Sequence, residues 1–244
     1  MNIFEARNVF KNFGGLQATS ALSFDIRGGE FLGIIGPNGS GKTTLFNLMT
    51  NFIAPSSGQM YWKGEDIAGL RPDALARKGI VRTFQITRVF PRLSIYRNLV
   101  IGHHLQHARS GRSKTSIAES IELLLAFFNF EDRRDVAADS LAYGDRKKLS
   151  VALALSCKPN MLLLDEPAAG LNETETDEMA AVLRKIKDQG ITQVLIEHDM
   201  KFVMGLCDRI ICLNSGKKIA EGTPHEIQRN AEVIKVYLGE GEVC

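Results

Sequence analysis

The sequence predicts an α/β fold, a mostly parallel sheet flanked by helices with a helical insertion in its middle. Three observations lead there. From residue 161 onward, apolar strands alternate with amphipathic helices, the pattern of a parallel sheet. A glycine-rich loop at residues 36–43 joins an apolar strand to a helix. Between these parts, residues 94–156 read as mainly helical. The 244 residues are 44% hydrophobic and 24% charged, an ordinary globular balance that excludes disorder and simple coiled coil.

The elements follow in order. Residues 3–9, 18–26 and 31–35 are short and apolar, and turns at Phe13-Gly14-Gly15 and Arg27-Gly28-Gly29-Glu30 separate them, so three strands are expected. A helix should cover 41–49, a turn Pro55-Ser56-Ser57-Gly58, and strands 59–62 and 80–85. Helices are expected at 117–128 and 147–156, where Phe127, Phe128 and Phe130 read as packing residues. Strands at 161–165, 193–197 and 209–214 alternate with helices at 173–189 and 201–206. A last helix opens at Thr223, which fits an N-cap, with Pro224 at the first helical position and Glu226 closing a capping box.

Gly36-Pro37-Asn38-Gly39-Ser40-Gly41-Lys42-Thr43 matches G-x-x-x-x-G-K-[ST] in full. Chance would supply such a match on the order of one per cent of the time in a chain of this size. Its glycines allow backbone N–H groups to crowd around a phosphate, and the helix start adds partial positive charge. Lys42 can bridge phosphate oxygens, and the Thr43 hydroxyl can ligate Mg²⁺.

Met161-Leu162-Leu163-Leu164-Asp165-Glu166 is an apolar run ending in two carboxylates. A strand of this kind is buried on both faces of a parallel sheet, and its carboxyl end lies at the ligand crevice. Asp165 is then placed to hold Mg²⁺ through water, and Glu166 to polarise an attacking water. His198 ends another apolar strand at the same edge, within reach of a γ-phosphate, and Gln85 ends the strand at 80–85, where it could meet Mg²⁺ or its water.

Together these motifs resemble the ATP-binding subunit of an ABC transporter, over essentially the whole chain. The Walker A loop is Gly36 to Thr43, followed by Thr44; the Walker B run ends at Asp165, with Glu166 at the catalytic carboxylate position. Gln85 matches the Q-loop, His198 the switch histidine, and Phe13 the aromatic residue that stacks on adenine. The signature segment is Leu141-Ala142-Tyr143-Gly144-Asp145, ending 20 residues before Asp165. The resemblance implies a P-loop NTPase core with a mostly parallel sheet and an N-terminal antiparallel β subdomain. It also implies one ATP-binding domain over 1–244, with a helical subdomain inserted at about 87–158. ATP and Mg²⁺ are the implied ligands.

Arg82-Thr83-Phe84-Gln85, Val89-Phe90-Pro91, Asn98-Leu99-Val100-Ile101-Gly102, Tyr143, Ala168-Ala169-Gly170-Leu171-Asn172 and Glu221-Gly222-Thr223-Pro224 resemble the LivG-type subunits of branched-chain amino acid importers. Urea importers share the nucleotide motifs and stay open as an alternative, as does a soluble ABC ATPase outside transport. The resemblance implies a second ATP-binding subunit facing this one and integral membrane permease subunits. A solute-binding protein would act indirectly. Attachment would be peripheral, at the cytoplasmic face of the membrane. Residues 86–97 would carry motion to the permease, with Arg88, Arg92 and Tyr96 as candidate docking residues.

The signature departs from L-S-G-G-Q. Ala142 lacks the serine hydroxyl, and Asp145 adds negative charge near a triphosphate, while Arg146, Lys147 and Lys148 offer positive charge. One lost hydrogen bond to a charged group is worth about 1.5–3 kcal/mol. Asn172 stands where the family usually has Asp.

The remaining features exclude other classes. Thirty basic against 28 acidic residues give a formal charge of +2, no support for a nucleic-acid partner. No apolar leader opens the chain, and the charge-free stretch 43–62 is too polar to span a membrane, so a soluble cytoplasmic chain is expected. Cys157, Cys207, Cys212 and Cys244 are scattered and read as buried apolar residues for the most part. His103, His104 and His107 lie in a basic, Ser-rich segment and read as a solvated helix end or loop.

Overall fold

The computed structural model describes residues 1–83, 89–107 and 114–238. It opens with β1 (Asn2–Phe13), β2 (Leu16–Arg27), β3 (Phe31–Ile35), α1 (Lys42–Met49), β4 (Ser57–Trp62), β5 (Glu65–Asp66), α2 (Pro72–Lys78) and β6 (Ile80–Arg82). Next come α3 (Ile95–His107), α4 (Lys114–Phe127) and α5 (Tyr143–Ser156). The chain continues through β7 (Met161–Asp165), α6 (Glu173–Asp188), β8 (Thr192–Ile196), α7 (Met200–Leu206), β9 (Arg209–Asn214), β10 (Lys217–Gly222), α8 (Pro224–Gln228) and α9 (Ala231–Leu238).

The strands form two sheets. One is antiparallel, in the order β2-β1-β4-β5. It begins with a hairpin in which Phe13 pairs with Leu16 across the two-residue loop Gly14-Gly15. The other has the order β10-β9-β3-β8-β7-β6, parallel except for the edge strand β10.

Alternation along the parallel strands shows why they are apolar throughout. Leu162 and Leu164 face the core shared with α3–α7, whereas Met161 and Leu163 face the core shared with α1 and the antiparallel sheet. Phe31 and Ile35 divide from Leu32 and Ile34 in the same way. Gly33 lets α7 approach closely, since a Cβ there would sit 3.0 Å from Cys207 Sγ and 3.1 Å from a Val203 methyl. Arg209 on β9 joins the sheets: it donates to Glu30 Oε1 at 2.7 Å and Oε2 at 2.9 Å, and to the Asp25 carbonyl at 2.7 Å.

Several sequence expectations need correction. The strand expected at 80–85 ends at Arg82, and Gln85 lies outside the described residues. α2 and β10 were not expected. Both are half-exposed and carry many charges, so apolar periodicity is weak in them. The capping box at Thr223 and Glu226 is formed, but α8 is not the last helix: α9 follows, burying Val233. α5 starts at Tyr143 rather than 147, because the signature segment itself enters the helix. His103 is 2% exposed on α3 rather than solvated, while the side chains of His104 and His107 lie outside the described residues. Phe128 and Phe130 are buried and Phe127 packs against them, as expected. Cys157, Cys207 and Cys212 are buried free thiols, and burial pushes Cys157 and Cys212 up to about 11. Among the described residues no helix is long and apolar enough to cross a membrane.

Leu163 is fully buried at the centre of β7. Leu163→Ala should destabilise the fold by about 2–5 kcal/mol. Urea unfolding checks this as a lower midpoint at unchanged slope; a loss under about 1 kcal/mol would contradict this packing.

Candidate functional site

β3, β8 and β7 are neighbours and parallel, so their carboxyl ends reach the same edge of the sheet. The loop after β3 carries residues 36–43, the end of β7 carries Asp165 and Glu166, and the residues after β8 carry Glu197 and His198. Motifs more than 100 residues apart thus meet at one crevice, the ligand site of open α/β sheets.

The loop needs glycine where the backbone is crowded. Gly36 has φ 151°, and a Cβ on it would lie 2.2 Å from the Leu213 carbonyl oxygen. Gly41, the N-cap of α1, has φ 103°, and a Cβ there would come within 2.6 Å of the Ala18 oxygen. Asn38, Gly39 and Thr43 are exposed and Thr44 is half-exposed, so the loop presents backbone to solvent at the helix start. Lys42 is 6% exposed and donates to the carbonyls of Gly36 at 2.7 Å and Pro37 at 3.0 Å. Burial pulls its ammonium below the usual lysine range, against the attraction of Glu166 and, more weakly, of Asp165. Ser40 Oγ is buried and has no hydrogen-bond partner among the described residues.

Asp165 is 6% exposed, and its Oδ2 accepts from Arg82 Nη2 at 2.6 Å. Arg82 also donates to Asn47 Oδ1 at 2.6 Å and lies over the Phe46 ring. Thr83 Oγ1 accepts from the Asp165 amide at 3.3 Å. Glu166 follows in the left-handed region, φ 49°, uncommon for a non-glycine residue. Its Oε1 accepts from His198 Nε2 at 3.0 Å. Its backbone is held on both sides: the amide donates to the Ile196 carbonyl at 2.9 Å, and its carbonyl accepts from Lys147 Nζ at 2.9 Å. Glu197, 3% exposed, accepts from the Ala168 amide at 2.7 Å and the His198 amide at 2.9 Å. Burial pushes its carboxyl above the usual range, opposed by those two amides.

The signature segment forms the start of α5. Ala142 is its N-cap and no side chain caps the helix, while Ala142 and Tyr143 are exposed and Leu141 is buried. The first backbone donors of α5 therefore face outward with the positive end of the helix. Gly144 packs closely on Glu175: a Cβ there would lie 2.5 Å from its Oε1, so a larger residue would displace that side chain. Asp145 is offset by Arg133 at 2.6 Å and Lys148 at 3.7 Å, which lessens the negative charge expected of it. Asn172 caps α6: Oδ1 accepts from the Glu175 amide at 2.9 Å in a complete capping box. Phe13, 49% exposed at the end of β1, carries Lys11 Nζ 5.0 Å from its ring centroid. Among the candidate docking residues, Arg92 is exposed, Arg88 lies outside the described residues, and Tyr96 is half-buried beneath Arg134.

This arrangement fits a magnesium nucleotide. Lys42 and Ser40 offer a buried ammonium and a buried hydroxyl at the loop, beside the helix start. Among the described residues no group of three His, Cys, Asp or Glu could hold a metal. A metal here would rely on hydroxyl, carboxylate, water and phosphate oxygens, the hard donor set suited to Mg²⁺.

A family model described as ABC transporter matches residues 19–169. The chain belongs to the ABC transporter family. A second model, described as branched-chain amino acid ATP-binding cassette transporter, matches residues 217–243 of this cassette. The cassette is 39% identical to the high-affinity branched-chain amino acid transport ATP-binding protein BraF of Pseudomonas aeruginosa, over 98% of each chain. MJ1267, an ATP-binding cassette of an ABC transporter in its ADP conformation, superposes with a TM-score of 0.88 at 30% identity, over 98% of this chain and 100% of that one. MJ0796, a dimeric ATP-binding cassette in a post-hydrolysis state bound to ADP and Pi, reaches 0.80 at 25% identity, over 91% and 99%. The cassette is an ATPase of the P-loop α/β fold, as the resemblance implies.

The sequence carries no sign of the contacts that Arg82, Lys147 and Glu197 make. It shows only their positions: an arginine three residues before Gln85, a lysine four residues after Tyr143 and an acid beside His198. Arg82→Met leaves the Asp165 carboxylate buried without its guanidinium. Losing one member of a buried pair should cost about 3–5 kcal/mol. Thermal and urea unfolding read that loss, and a change below about 1 kcal/mol would refute the pair's importance.

Proposed function

We propose that this cassette hydrolyses ATP to energise import of branched-chain amino acids through membrane permease subunits. The observation that carries the solute class is the match of residues 217–243, whose described part, 217–238, contains β10, α8 and α9, to the branched-chain amino acid cassette model. The likeness to BraF over nearly the whole chain supports it.

In this reading Phe13 stacks on adenine, and residues 36–44 wrap the phosphate chain. Lys42 exchanges its two carbonyl acceptors for β- and γ-phosphate oxygens, a charge-assisted contact. Thr43, Asp165 and Gln85 hold Mg²⁺, which supplies charge neutralisation at the phosphate oxygens. Glu166 orients water in line with the γ-phosphorus and accepts its proton as the bond to the departing ADP oxygen breaks. His198, already bonded to Glu166, turns to the γ-phosphate.

One chain leaves the triphosphate half-exposed. A second ATP-binding subunit completes the site by presenting Leu141, Ala142, Tyr143 and Gly144 at its uncapped helix start. ATP then joins the subunits, and hydrolysis releases them by charge repulsion. The dimeric form of MJ0796 supports this arrangement. The permease would dock in the apolar groove of about 330 Å³ between α2 and β6 on one side and α3 and α5 on the other. Phe52 and Phe90, each about half exposed, line that groove and suit a short amphipathic helix. Attachment at the cytoplasmic face of the membrane follows from this docking, with a solute-binding protein acting on the far side.

Two substitutions test the chemistry. Glu166→Gln should keep nucleotide affinity while turnover falls about 10²–10⁴-fold; retained turnover contradicts its role. Lys42→Ala should weaken nucleotide binding by about 1.5–3 kcal/mol, roughly 10–150-fold. Titration calorimetry reads this directly, and unchanged affinity removes the phosphate-loop assignment. Uptake of radiolabelled leucine by cells lacking the chain tests the solute: it should drop, and unaltered uptake overturns the import assignment.

A further inference from the structure

The turn after β7 is gripped by two buried charged residues from different parts of the chain. Lys147, 3% exposed on α5, donates from Nζ to the Glu166 carbonyl at 2.9 Å. Glu197, 3% exposed after β8, uses one carboxylate oxygen for the Ala168 amide and the other for the His198 amide. A third contact runs from Tyr143 Oη to the Ala169 carbonyl at 3.2 Å. Tyr143 and Lys147 are four residues apart and so share a face of α5. The helix start thus rests directly on the turn that carries Glu166.

We propose that Lys147 and Glu197 are positioning residues that clamp the Glu166 turn between the signature helix and the segment after β8 that carries His198. This rests on the assignment of Glu166 made above. Three physical points carry it. Glu166 sits at φ 49°, a conformation that persists only where surroundings over-determine it. The clamp meets that need, with Lys147 on its carbonyl and Ile196 on its amide. Buried charges are costly unless hydrogen-bonded, and here Lys147 and Glu197 both bond backbone atoms of these segments. Glu197 ties the amide of Ala168, two residues after Glu166, to that of His198, and the 3.0 Å Glu166–His198 contact depends on these two segments keeping their spacing.

The consequence is a link between two nucleotide sites. α5 offers its start to the partner's ATP, while Lys147 on the same helix touches the turn of its own Glu166. A shift of α5 moves the carboxylate that orients water in the chain's own site.

The test separates positioning from folding. Lys147→Met and Glu197→Gln are compared with Lys147→Arg in ATP turnover, nucleotide affinity and melting temperature. Losing one hydrogen bond at the turn should lower kcat about tenfold, with affinity within about twofold. Lys147→Arg, whose guanidinium still donates to the carbonyl, should recover most of the rate. Glu197→Gln is isosteric and keeps one acceptor, so it reports even if Lys147→Met fails to fold. Unchanged kcat in Glu197→Gln, a parallel fall of kcat and affinity, or absence of rescue by arginine would overturn the clamp. Glu166→Gln in the same assay tells the two readings apart. If it is active, the catalytic assignment fails and the clamp with it; if it is inactive beside fully active Glu197→Gln and Lys147→Met, only the clamp fails.

Discussion

Everything in this cassette depends on holding several like-oriented donors and one ammonium at a single point on the carboxyl edge of a parallel sheet. Backbone N–H groups at the start of α1 and the buried Lys42 would repel one another or demand solvation without anionic company. The protein handles this locally by lending Lys42 the carbonyls of Gly36 and Pro37. It pays the remaining cost through burial on both sheet faces, where Leu162 to Leu164 and Leu32 to Ile35 make the strands rigid. A loop on a less rigid support could not keep Gly36 against the Leu213 carbonyl or Gly41 against Ala18.

The same edge carries opposite charge in close quarters. Asp165 pairs with Arg82, Glu166 accepts a hydrogen bond from His198, and Glu197 accepts from two amides. These pairings differ in kind. Arg82 and Asp165 form a buried salt bridge that a cation at Asp165 would have to share. Glu166 and His198 form a looser pair, since the His198 side chain is about half exposed and has room to turn away. Glu197 is tied down at both oxygens. The acidic cluster is therefore graded from fixed to movable, and the movable pair is the one nearest solvent.

The buried strands and the phosphate loop were legible because each has a local cause. Two-sided burial demands runs such as Met161 to Leu164, and close backbone approach demands Gly36 and Gly41. The hairpin at Gly14-Gly15 and the capping boxes at Thr223 and Asn172 likewise write themselves into a few adjacent residues, although the Asn172 cap was read only as a departure from the family pattern. What stayed hidden depends on residues far apart. Nothing near Lys147 says that its ammonium ends on the Glu166 carbonyl, 19 positions away, and nothing near Arg82 points to Asp165, 83 positions away. α2 and β10 were invisible because half-exposed elements lose the apolar period. His103 was misread because its basic neighbours masked a buried helix face.

The most direct test of the central claim is calorimetric titration of the unmodified chain with Mg²⁺ and ADP, a ligand that cannot turn over. The account predicts one nucleotide per chain, with affinity lost when the divalent cation is chelated. A chain that melts cooperatively yet shows no saturable heat with Mg²⁺ and ADP would contradict it.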